Sequence, residues 1–201
     1  MDELTAVALI SVWVLLSLNL WLMVRVIKWI KQQTALRERR ARAGQLRTGT
    51  AAPEIRARTL DGREVSLADF RGRSVAFIFV STTCYTCRDE MPDLVRLAPI
   101  ASTNAGVDIT LVSSDDSRMT RTWLEEINRK DGVNVDLPVL IPVAESTFLS
   151  VYNPEGSTPY FCLVDPEGRV AARSLLVEPE WAIQTRKWKT AGSLPTWMGR
   201  T

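Results

Sequence analysis

Histidine is absent from all 201 residues, and cysteine occurs only three times. A closed zinc site takes four nitrogen or sulfur ligands, so Cys84, Cys87 and Cys162, with no imidazole to join them, fall short of one. Neither sign of charge dominates: 25 Lys and Arg face 23 Asp and Glu, a net of +2, which argues against a nucleic-acid partner. There is no internal repeat and no low-complexity tract. The 46% hydrophobic and 24% charged content is that of a globular protein, and 201 residues fit one domain with an appendage.

What is present begins with Cys84-Tyr85-Thr86-Cys87, directly behind the apolar run Val75-Ala76-Phe77-Ile78-Phe79-Val80. A buried strand followed by CXXC delivers the first thiol to the start of a helix, where unpaired N–H groups and the helix dipole favour a thiolate. Cys84 is the expected nucleophile. Cys87, one turn further on, is placed to close a small disulfide or to resolve a mixed disulfide at Cys84. Two plainer readings stand beside this one. A structural disulfide in so small a ring would cross-link little that the helix does not already hold. Two inert core thiols would need burial, which Ser81, Thr82 and Thr83 argue against at Cys84.

Charge and hydropathy are unevenly spread along the chain. Leu4 to Val24 is interrupted only by Thr5, Ser11, Ser17 and Asn19. About 21 residues at roughly 1.5 Å each span about 30 Å, a bilayer core. The segment is expected to be a single-pass membrane helix with Trp21 and Trp29 as interfacial anchors. Asp2 and Glu3 replace the positive start of a cleaved signal peptide, and no small-residue cleavage site follows. Arg25, Lys28, Lys31, Arg37, Arg39, Arg40, Arg42 and Arg47 then face the single acid Glu38. The run reads as a topology signal or solvated tether, with binding to anionic lipid or nucleic acid as the functional alternative. By the positive-inside rule it places the C-terminal part in the cytoplasm.

From residue 51 the pattern is that of a folded domain. Expected strands are Pro53–Arg58, Glu64–Leu67, Val75–Val80, Val107–Val112, Pro138–Ile141, Tyr160–Asp165 and Val170–Val177. Expected helices are Cys84–Ile100, ended by Pro99, then Met119–Arg129, Ser146–Tyr152 and Pro179–Lys189. Alternating strands and helices closed by a hairpin and a helix imply an α/β fold, a mixed central sheet with flanking helices.

Four stretches carry a family resemblance: Ala52-Pro53 with Leu60-Asp61-Gly62-Arg63; Leu67-Ala68-Asp69-Phe70-Arg71-Gly72-Arg73; Cys84 to Cys87 running into Glu90-Met91-Pro92; and Thr158-Pro159 before Val164-Asp165-Pro166-Glu167-Gly168-Arg169. They resemble the TlpA-like and MauD-like membrane-anchored branch of the thioredoxin superfamily, related to the alkyl hydroperoxide reductase and thiol-specific antioxidant group. The resemblance implies a thioredoxin-like fold over residues 51–190, preceded by an anchor at 1–30 and a tether at 31–50 and followed by a tail at 191–201. It implies Cys84 as nucleophile, Cys87 as resolving thiol and Pro159 as a cis proline facing the disulfide. It further implies exchange with protein thiols and disulfides without a cofactor, a membrane-embedded redox partner, and a redox domain outside the cytoplasmic membrane, against the charge rule.

The sequence departs from that pattern at Ile78, six residues before Cys84, where most thioredoxins have an acid. Deprotonation of Cys87 therefore needs another base or water. Glu90 is close enough in sequence to serve, with a capping or surface role as the alternative. With no imidazolium, only the helix terminus and Arg88 are available to lower the pKa of Cys84, and a moderate or reducing potential is expected. A second reading is a thiol peroxidase, for which Ser81 stands where peroxiredoxins place a threonine, although Phe77 replaces their proline. A third is a membrane-tethered docking module using Trp181 and Trp188 on one face of the last helix, with core packing as the alternative. Asp115 and Asp116 read as solvated turn residues, and Cys162 as a buried core thiol.

Overall fold

The computed structural model describes residues 12–26 and 46–191. The chain divides into two units, residues 1–43 and 44–201. In the first, residues 12–26 form a helix, α1, whose apolar side chains are exposed, Trp13, Leu15 and Leu20 among them. Among the described residues no helix is long and apolar enough to cross a membrane. Positions 4–11 of the expected span, the tether at 31–45 and the tail from 192 lie outside the described residues.

The second unit is built on a seven-stranded sheet. Its strands are β1 (Arg56–Thr59), β2 (Glu64–Ser66), β3 (Ser74–Val80), β4 (Val107–Ser113), β5 (Val139–Pro142), β6 (Tyr160–Val164) and β7 (Val170–Leu175), in the order β2-β1-β5-β4-β3-β6-β7. β3, β4 and β5 run parallel, while β6 lies antiparallel to β3 with Phe79 opposite Tyr160. β3 is apolar without alternation because both of its faces are covered. Ala76, Ile78 and Val80 point to the side covered by α2 (Tyr85–Ala105), α3 (Ser117–Asp131) and α5 (Pro179–Ala191). Val75, Phe77 and Phe79 point to the other side, where Phe148 and Tyr152 of α4 (Phe148–Tyr152) pack edge-on against Phe77.

The expected mixed sheet with flanking helices is present, with several shifted ends. Pro99 does not end α2. A proline removes one hydrogen bond from a helix interior, but Ala101 beyond it is wholly buried, and that packing carries the helix on to Gly106. Gly106 adopts φ 63°, open to glycine without strain, and donates its N–H to the carbonyls of Ala101 and Ser102. β2 stops at Ser66 because Asp69 accepts from both the N–H and the hydroxyl of Ser66, turning Leu67–Phe70 into a 3₁₀ turn. α3 begins two residues earlier than expected, since the Asp116 carboxylate accepts from Met119 N–H and caps it.

Candidate active site

β3 ends at Val80, and the chain turns through Ser81, Thr82 and Thr83 so that Cys84 becomes the N-cap of α2. Its extended backbone points Sγ back over the helix start, where it accepts from Cys87 N–H at 3.1 Å. Cys84 and Cys87 are joined as a disulfide with Cα atoms 5.3 Å apart. Cys87 is fully buried, whereas Cys84 is partly exposed and the neighbouring Tyr85 projects into solvent. Access therefore discriminates between the two sulfurs, and only Cys84 is open to an incoming group.

The third expected site residue arrives from 75 positions further along the chain. The Thr158-Pro159 bond is cis, and Cys84 Sγ stands 3.5 Å from the Thr158 carbonyl oxygen, within reach of a thiol donor. Two contacts steady this loop. Asn153 donates its amide to Ser157 carbonyl at 2.8 Å and accepts from Ser157 N–H at 3.1 Å. Leu176 N–H donates to Pro159 carbonyl. The structure thus brings Cys84, Cys87 and Pro159 together at one end of the sheet, because β6 pairs antiparallel with the strand that leads to the cysteines.

Around the disulfide the electrostatics are simple. Ile78 is wholly buried in the cluster that contains Cys87 and Met91. Glu90 lies one helical turn beyond Cys87 and is partly buried. Burial pushes its carboxyl above the ordinary glutamate range, and the nearby carboxylates of Asp93 and Asp89 push the same way. The expectation that Arg88 assists Cys84 is corrected here. Its guanidinium forms a two-pronged ion pair with Asp131, Nε at 2.7 Å and Nη2 at 3.0 Å, which directs it towards the end of α3. The helix terminus is then the main aid to a Cys84 thiolate.

Residues outside the motif divide clearly. Cys162 is buried on the opposite face of the sheet, in the cluster with Phe77 and Tyr152, and burial pushes its thiol up to about 12. Trp181 and Trp188 form no docking face. Both are buried, with their rings edge-on at 5.5 Å and Trp181 5.0 Å from Phe161. Asp115 is not a solvated turn residue, since it accepts from the loop in front of Cys84. The sequence held one signal for this. Asp115 follows β4, the parallel neighbour of the strand that carries the cysteines, so the two strand ends must lie side by side. Among the described residues, no three metal-ligating side chains gather.

The model of the AhpC/TSA family matches residues 48–173. The thiol-disulfide oxidoreductase ResA of Geobacillus thermodenitrificans is 31% identical over 122 residues, covering 61% of this chain and 66% of that protein. The thioredoxin domain of a thiol-disulfide oxidoreductase from Bacteroides vulgatus superposes with a TM-score of 0.56 at 28% identity, covering 71% of this chain and 98% of that one. A solution structure from Bacteroides thetaiotaomicron, with a TM-score of 0.59 at 22% identity over 74% of this chain and 92% of that one, shares the thioredoxin-like fold.

Proposed function

The chain belongs to the AhpC/TSA family, and on that premise we propose that it is a membrane-tethered thiol-disulfide oxidoreductase that exchanges disulfides with protein thiols through its CXXC dithiol in the reducing direction. The observation that carries this is the asymmetry of the pair: Cys84 is accessible, caps a helix and faces Thr158, while Cys87 is buried directly behind it.

In the reducing half-reaction both cysteines start as thiols. The Cys84 thiolate attacks one sulfur of a client disulfide, forming an S–S bond to the client and releasing the client's other sulfur as a thiolate, which takes up a proton. Cys87 then loses its proton and attacks Cys84, so that the mixed disulfide breaks, the Cys84–Cys87 disulfide closes and the client leaves with two thiols. Two electrons pass from the chain to the client, and a dithiol donor, for which a membrane-embedded redox partner is the natural class, restores the reduced pair. Glu90, one turn from Cys87 and with its carboxylate made more basic by burial, is the base this reading assigns to the Cys87 proton where Ile78 offers none. Peroxide reduction is less well supported, since the Ser81 hydroxyl is engaged by Asp115 and Thr83.

The apolar run from Leu4 and the exposed apolar surface of helix 12–26 support a single-pass anchor in contact with lipid. An extracytoplasmic redox domain suits a reductase acting where disulfides form. Residues 51–190 form the redox domain in this reading, 31–50 its tether and 191–201 its tail.

The test is a redox titration of the full chain in detergent, counting free thiols by mass. A two-electron Cys84–Cys87 couple near about −270 mV supports a reductant, whereas one near about −120 mV marks an oxidant. Absence of an intramolecular couple, or rapid consumption of hydrogen peroxide, rejects the assignment. Protease added outside spheroplasts digests the domain if it is extracytoplasmic.

A further inference from the structure

The turn that presents Cys84 makes few contacts of its own. Within it, Cys84 N–H donates to Ser81 carbonyl at 3.1 Å. Among the described residues, the hydrogen bonds of Ser81, Thr82 and Thr83 to other parts of the fold converge on one carboxylate. Asp115 Oδ2 accepts from Thr82 N–H at 2.7 Å and from Ser81 Oγ at 3.1 Å. An ionised carboxylate only accepts, so the Ser81 hydroxyl proton is committed to Asp115. Its oxygen must then accept from the Thr83 hydroxyl at 3.1 Å, alongside Thr83 N–H at 3.4 Å. One acceptor thus orders three consecutive residues in front of the nucleophile.

Asp115 is itself held from behind. Its N–H donates to Ser113 Oγ at 3.2 Å, and that hydroxyl is 2.7 Å from Thr120 Oγ1, with both residues buried. Ser114 N–H donates to Val80 carbonyl at 3.1 Å, drawing the ends of β4 and β3 together. A continuous chain of hydrogen bonds therefore runs from the first turn of α3, through the end of β4, to the residues that place Cys84 at the start of α2.

Resting on the disulfide-exchange reading above, we propose that Asp115 is a positioning residue of the redox centre, whose carboxylate clasps the Ser81–Thr83 turn and holds the Cys84 sulfur at the N-terminus of α2. Without the acceptor, Thr82 N–H loses its partner and the turn is free to carry Cys84 away from the Cys87 N–H that stabilises a thiolate. Hydrogen bonds to charged groups are individually strong enough for this to amount to about a tenfold effect.

Charge and acceptor are separable. Asp115→Asn removes the charge and keeps an oxygen acceptor for Thr82 N–H and Ser81 Oγ, whereas Asp115→Ala removes both. Loss of a nearby negative charge alone favours the thiolate in either variant, so the informative quantity is alanine against asparagine. The experiment uses the full chain in detergent, reduced, with the pH titration of Cys84 followed by thiolate absorbance and its alkylation by iodoacetamide followed by mass at pH 7. Ser81→Ala, which removes only the hydroxyl link, runs in parallel, and thermal unfolding gives the fold control.

The expected result is alkylation of Asp115→Ala about tenfold slower than of Asp115→Asn, with a higher Cys84 titration midpoint and Ser81→Ala displaced less in the same direction. Equal rates and midpoints for the two Asp115 variants overturn the proposal, even if alanine lowers the melting temperature, because the clasp would then be structural only. If Asp115→Ala does not fold, Ser81→Ala against the parent decides the matter, and an unchanged midpoint overturns it. The parent chain is titrated first against glutathione. Absence of a Cys84–Cys87 couple there refutes the exchange reading itself, whereas a normal couple with indistinguishable variants refutes only the role of Asp115.

Discussion

The sulfur of Cys84 and the carbonyl oxygen of Thr158 stand 3.5 Å apart across 74 residues of sequence. This contact puts the open side of the disulfide beside the Thr158 carbonyl, so that a group reaching Cys84 also meets the Thr158 loop. Attack at Cys84 and release by buried Cys87 become separable steps.

Replacing Cys87 with serine leaves the attacking thiol without its resolver. Cys87→Ser is expected to accumulate a mixed disulfide at Cys84, seen as the client's added mass, and to lose turnover by roughly a hundredfold or more, because an intramolecular thiol has a high effective concentration. Cys84→Ser forms no adduct. Wild-type turnover in Cys87→Ser would mean that resolution occurs elsewhere.

Glu90 carries a pH signature. Its carboxyl in the fold titrates above the ordinary value of 4.5, so between that value and its raised one the folded state binds more protons than the unfolded. Stability then falls as pH rises through this window. Glu90→Gln is expected to flatten the decline and to remove the acid-side limb from the pH profile of disulfide closure. Melting temperatures of both proteins across the window test the first point, and stopped-flow closure rates test the second.

Cys162 supplies an internal control for accessibility. Its burial and elevated pKa predict that iodoacetamide at neutral pH labels the reduced native chain at Cys84 and leaves Cys162 untouched until denaturant is added. Peptide mass mapping with and without urea distinguishes the sites, and native labelling of Cys162 would show that the sheet opens there.

Trp181 ties α5 to the sheet through Phe161 and stacks edge-on against Trp188 of the same helix. Trp181→Ala is expected to cost about 3–5 kcal/mol in urea unfolding, the usual consequence of removing a large buried ring. A change below about 1 kcal/mol would place the ring outside the cooperative core.

Much of the fold and half of the site could be read from residue order. The unbroken apolar run of β3 marks a strand buried on both faces, and CXXC behind it places two thiols on one helical turn whatever lies around them, because three residues of helix fix their separation. The cis bond at Pro159 followed only from resemblance. Tertiary structure decided the rest, since it rests on pairings across the sheet. Pro99 is tolerated because Ala101 packs beyond it. Arg88 is drawn to Asp131 because α3 ends beside α2. Trp181 and Trp188 are core because Trp181 packs on Phe161 and Trp188 packs on Trp181. Asp115, unremarkable in its loop, becomes the anchor of the redox turn because β4 runs parallel to β3 and ends next to it. Local spacing sets which groups share one helix or strand, but which groups from distant segments meet depends on strand order and register, which no short stretch of sequence encodes.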